Sequence, residues 1–164
     1  MPNNAAESLP MERDFDPWGG QLDGQTAWRN FGELTIEEAF ELFCTNPIIY
    51  VEDFMFMGPR AFTHYFPVID RYVREVAPED GETEIEVSGL AAAIWFQLDH
   101  EGVYFRESFL EPIEQLVDHV SSEAGSFSPG LEDQVRIRRE WTRVEKKLSE
   151  VRSRQSKVRN REDG

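Results

Sequence analysis

The side chains in this 164-residue chain that could move a proton or hold a metal are its three histidines and the carboxylates beside them. His64 stands next to Tyr65 and six residues before Asp70. A general base needs a hydrogen-bonding partner and a cleft. Neighbours on a helix diverge by about 100°, so His64 and Tyr65 cannot share one pocket, and the pair reads as a rim histidine beside a core tyrosine. Glu52-Asp53, His100-Glu101 and Asp118-His119 could each lend a ligand to a metal. A metal site needs three or four converging ligands, and no His-x-x-x-His or Glu-x-x-His spacing enforces that here. The glycines at 19, 20 and 24 do not form a phosphate loop, because no strand–loop–helix pattern surrounds them. No acyl-transfer triad motif is present. The sequence therefore assigns no catalytic residue, no metal ligand and no cofactor. An enzyme reading would rest on His64 with Glu52 and Asp53 near Gly58.

The elements that would position these groups read as helices. Thr35 with Glu38 forms a capping box ahead of an Ile36, Ala39, Phe40, Phe43 stripe, and Asn46-Pro47 ends it. Residues 48–57, IIYVEDFMFM, fit a short helix, a connector or a buried strand, which periodicity cannot separate. Pro59 opens a helix with Phe62, Tyr65, Ile69, Tyr72, Val73 and Val76 on one face. Arg60, His64, Pro67, Arg71 and Arg74 take the other face, so Pro67 should sit on the wet, convex side of a bend. After a turn at 76–81, Thr83 with Glu86 predicts a second capping box and a buried helix to Leu98, although the alternation of residues 82–87, ETEIEV, makes a short strand there the rival reading. Ser108 with Glu111 predicts a third, over 108–122, with Pro112 in its first turn.

From Leu131 onward, Ile137, Trp141, Val144, Leu148 and Val151 step by four and three residues. That is a heptad seam of coiled-coil type. Residues 153–164 carry one apolar side chain and are expected to fray. The expected organisation is an irregular N-terminal arm at 1–33 with a disordered first dozen residues, an acidic helical body at 34–130, an amphipathic basic helix at 131–158 and a disordered tail at 159–164. The fold class is mainly α, with four to five helices in a compact body and a long basic C-terminal helix.

The stretch Phe54-Met55-Phe56-Met57 followed by Pro59-Arg60-Ala61-Phe62-Thr63-His64-Tyr65-Phe66-Pro67 resembles a P-x-A-F-x-x-Y-x-P segment, preceded by aromatic residues, in small uncharacterised bacterial proteins. The resemblance implies a bacterial origin and a helical fold. It implies no chemistry.

Charge says more about partners. The net charge is −15, and it is divided sharply. Residues 1–133 hold 27 Asp or Glu against 6 Lys or Arg, and residues 134–164 hold 5 against 11. Such acidity serves solubility, and it also steers a basic protein partner toward the body. The basic helix could track phosphates, but the acidic body repels nucleic acid, so that reading is secondary. The expected function is a non-enzymatic, acidic protein-binding module, of inhibitor or immunity type. Glu52, Asp53, Arg60 and His64 are the candidate partner-binding residues, and the Trp141, Val144, Leu148, Val151 seam is the candidate homodimer contact. The lone Cys44 reads as a small hydrophobe, not as half of a disulfide. The N-terminal segment lacks the basic and apolar regions of a signal peptide, and no apolar run approaches the roughly 20 residues of a membrane span. The cytoplasm is the expected compartment.

Overall fold

The computed structural model describes residues 8–164, and among these the secondary structure is helical throughout, with no strand. Two helices lie in the segment read as an irregular arm: α1, Glu12–Phe15, and α2, Leu22–Phe31. They are followed by α3, Ile36–Thr45, α4, Pro47–Phe56, and α5, Pro59–Arg71. The last of these widens into a π turn over Tyr72–Val76, runs on through α6, Ala77–Asp80, and ends at Gly81, whose φ of 74° is the left-handed stop expected of glycine. α7, Glu84–Leu98, α8, Glu107–Ser122, and α9, Leu131–Glu162, complete the chain. The helix number exceeds the four to five expected because Glu12–Phe15 and Leu22–Phe31, in the expected irregular arm, and Ala77–Asp80, in the expected turn, are also helical. The expected disorder over the first dozen residues falls partly on 1–7, outside the described residues, and gives way to α1 at Glu12.

α7 is the centre of the packing. Its sequence, EIEVSGLAAAIWFQL, is apolar on nearly every face, and such a helix must be covered on several sides. α4 lies along one side, parallel to it, with Val51 against Gly89 and the end of α4 against Gln97. α9 lies along another side, also parallel: Arg136 meets Glu84, Trp141 Nε1 donates to the Val87 carbonyl at 3.1 Å, and Lys147 meets Asp99. α8 runs antiparallel to α9, with Arg138 at Ser121 and Arg152 at Glu107 and Glu114.

Several local expectations change with this packing. Thr35 caps α3 in a reciprocal box with Glu38, as its spacing predicts. Thr83 does not cap α7. Its buried hydroxyl donates to the Ala77 carbonyl at 3.1 Å, and its backbone N–H donates to Phe127 at 2.8 Å, stitching the start of α7 to the segment entering α9. α8 starts one residue earlier than Ser108 and has no side-chain cap, so Pro112 lies in its second turn. Gly58 is required by close approach: a Cβ there would lie 2.0 Å from the Asp14 carbonyl oxygen, where α1 crosses the α4–α5 corner. Pro67 is exposed, as its face predicts.

The heptad seam is filled from within the chain. Ile137, Trp141, Val144, Leu148 and Val151 are buried in the same core cluster as α5, α7 and α8. A homodimer through this seam would have to strip α9 from its own body. The limit drawn at 130/131 consequently does not separate two packing units. α9 is helical to Glu162, past the limits expected at 153 and 159.

Gln97 is the one amide in the apolar stretch of α7, and it is completely buried. Its Nε2 lies 3.0, 3.0 and 2.7 Å from the carbonyls of Phe54, Met55 and Met57, which the end of α4 leaves without helical donors. Gln97→Leu removes that shared donor and is expected to cost about 1–3 kcal/mol in urea unfolding. An unchanged midpoint would show that the α4–α7 junction does not depend on it.

Candidate interaction surface

The structure sends the four candidate partner-binding residues to different tasks. Asp53 is buried, and Asn30 Nδ2 of α2 donates to its Oδ2 at 2.7 Å. Arg60 pairs with Asp14 at 3.3 Å and ties α5 to α1. His64 stacks edge-on against Tyr65, centroids 4.8 Å apart. Glu52 is exposed on α4. None of these contacts joins two of the four. Tyr65 is a core strut: its hydroxyl sits between the Phe31 and Leu34 carbonyls at 2.9 and 2.7 Å, and burial pushes its pKa up to about 12. Burial likewise raises the Cys44 thiol, against the nearby Arg71, and lowers the His100 and His119 imidazoles. Among the described residues no three His, Cys, Asp or Glu side chains gather where they could hold one metal ion. No described helix is long and apolar enough to cross a membrane.

Three of the eleven basic side chains of α9 form ion pairs with the body, and some of their partners lie on α9 itself. Arg136 pairs with Glu84 and Asp133, Lys147 with Asp99 and Glu150, and Arg152 with Glu107 and Glu114. Lys147 also lies over the Trp95 ring, 4.7 Å from its centroid, beside Arg143 at 5.4 Å. Arg143 and Trp95 line a shallow recess of about 190 Å³ together with Met55, Ala91, Ala92, Phe96 and Glu140.

The surface with the strongest chemical character lies at the shared N-terminal end of α4, α7 and α9. The three helices run parallel, and the Thr83–Phe127 and Arg136–Glu84 contacts hold the starts of α7 and α9 together. Five large aliphatic side chains stand out from this end: Ile48 and Ile49 (56% and 60% exposed), Ile85 (66%), Leu131 (78%) and Val135 (62%). Glu79, Asp80, Glu82, Glu84, Glu86, Glu132 and Asp133 flank the α7 and α9 members along the chain, with Arg136 paired to Glu84 and Asp133. Acidic residues in a first helical turn complement the helix dipole, which accounts for Glu84, Glu86, Glu132 and Asp133. It accounts neither for the loop acids at 79–82 nor for the exposed aliphatics. Single exposed aliphatics are ordinary, whereas several gathered at one end mark a contact surface. Sequence reasoning missed them although a signal was there. Leu131 and Val135 fall outside the Ile137–Val151 heptad phase, and Ile85 is isolated between glutamates, so none could join the core stripe.

No family model matches this chain, and neither a curated protein nor a solved structure is significantly similar to it.

The Asp53 carboxyl gives a pH test of the Asp53 assignment. Burial raises its pKa, the Asn30 hydrogen bond opposes the rise, and Glu52 and Asp23 add to it. A carboxyl raised on folding contributes most to stability below its unfolded pKa of about 4, and that contribution is lost as pH rises through the folded value. Asp53→Asn is therefore expected to gain stability relative to wild type between about pH 4 and pH 7 in urea titrations. A relative loss over that range would mean that ionised Asp53 is a stabilising group.

Proposed function

We propose that the chain is a non-enzymatic protein-binding module whose acidic end meets a basic protein. The observation that carries this reading is the set of exposed Ile85, Leu131 and Val135 side chains at the joined starts of α7 and α9, where the sequence is rich in carboxylates. Apolar contact provides the affinity of such a surface at short range, and the carboxylates select and steer a cationic partner. Ion pairing of Arg136, Lys147 and Arg152 with the body supports the assignment, because those three cations are engaged within the chain while the body keeps a large excess of carboxylates. The engagement of Asp53 by Asn30 weighs against an enzyme built on Asp53 with His64.

The test is affinity capture with wild type and an Ile85→Asp/Val135→Asp variant as baits, at low salt and at about 1 M, where screening shortens electrostatic reach to about 3 Å. Both substituted positions are exposed, so the variant should keep its helical circular dichroism. The expected result is a basic protein retained by wild type, lost from the variant and eluted by salt. Equal retention on both baits would remove this face from the reading. Recovery of nucleic acid alone would replace it with phosphate binding.

A further inference from the structure

The chain carries its own complement to the acidic end. Past Arg152, α9 runs beyond the ion-pairing part of the body. Gln155 pins it there by exchanging two hydrogen bonds with the Phe105 backbone, at 2.8 and 3.0 Å, and Arg159 reaches Tyr104 at 3.3 Å. With Gln155 and Arg159 turned toward the body, Arg154, Lys157, Val158 and Arg161 share another face, at steps of three, one and three residues. Val158 is half exposed, and the three cations make no ion pair among the described residues. This stripe is a short basic amphipathic helix face with an aliphatic residue among its charges. The opposite end of the same molecule offers exposed aliphatics among carboxylates.

The two surfaces cannot meet within one molecule. Both involve α9, and Val135 and Val158 are separated by roughly 35 Å of continuous helix at 1.5 Å per residue. Any contact between them must be made in trans. We infer that the basic stripe at the C-terminal end of α9 docks on the acidic, aliphatic end of a second copy of this chain, giving salt-sensitive head-to-tail association. Such a contact is heterologous, so it continues from copy to copy unless the rotation closes a ring. One short helix face buries far less than the roughly 1,000 Å² of a stable interface, so the association is weak and concentration-dependent. The inference uses the surface named under the proposed function but needs no foreign partner, so each can fail without the other.

Sedimentation velocity of the purified full-length chain tests it. At low salt the average mass should rise above the 19.0 kDa monomer with concentration, and it should return to the monomer at about 1 M salt. Two charge-reversed variants, each checked for native circular dichroism, decide the surfaces. Arg154→Glu/Lys157→Glu/Arg161→Glu and Glu79→Lys/Glu82→Lys/Glu132→Lys should each be monomeric alone. Mixed in equal amounts they should associate again, because each reversed surface then meets its opposite on the other variant. A wild type that stays monomeric at low salt would overturn the proposal. So would association that survives in either variant alone, or variants that fail to complement.

Discussion

The near-complete apolarity of α7 is the constraint on which the rest of the structure depends. A fifteen-residue helix that offers water so little polar surface must be wrapped, and one neighbour cannot wrap it. α4 covers one side and is held there by Gln97. α9 covers another and is held by Trp141, whose indole N–H bonds the Val87 carbonyl while its ring fills the core. The small residues Gly89, Ala91, Ala92 and Ala93 let these neighbours approach closely. Where the wrapping is incomplete, beside Ala92, Trp95 and Phe96, a shallow recess remains.

This packing also decides what happens to charge. Because α9 must lie on α7 and α8, its first two-thirds bring Arg136, Lys147 and Arg152 against Glu84, Asp99, Glu107 and Glu114. Each of these pairs keeps one partner about half exposed or more, and each contributes little stability individually. Their larger consequence is to engage Arg136, Lys147 and Arg152, which leaves the carboxylates Glu79, Glu82 and Glu132 near one end of α9 and the Arg154, Lys157, Arg161 stripe at the other. A sequence-level split between an acidic body and a basic helix becomes, in three dimensions, a gradient along one long helix.

Much of the helical architecture was legible in the chain. The Thr35–Glu38 box, Pro59 at a helix start, the wet placement of Pro67 and the Trp141 seam all rest on local chemistry or on 3.6-residue periodicity, and those signals survive folding. Three kinds of feature were not legible. Thr83 has the spacing of a cap, yet a buried carbonyl from Ala77 outcompetes the α7 backbone for its hydroxyl. Residues 12–31 look irregular because their Gly, Pro and Asp content is that of loops, and tertiary contact at Gly58 and Tyr65 stabilises helix there. The seam itself was visible, but whether it faces another copy or its own body depends on α7, which periodicity along α9 cannot reveal. The candidate surface was half legible: the carboxylates were evident, whereas recognising the aliphatics needed their phase compared with the core stripe.

If α7 holds α9 as an integral layer, native-state hydrogen exchange on the full chain should register it directly. Amides of α7 and those of residues 137–151 should exchange at the same rate and only through global opening, while residues 156–162 exchange much faster. Exchange across 137–151 that runs well ahead of α7 would mean that α9 detaches while the body stays folded, and the account of a single wrapped core would be wrong.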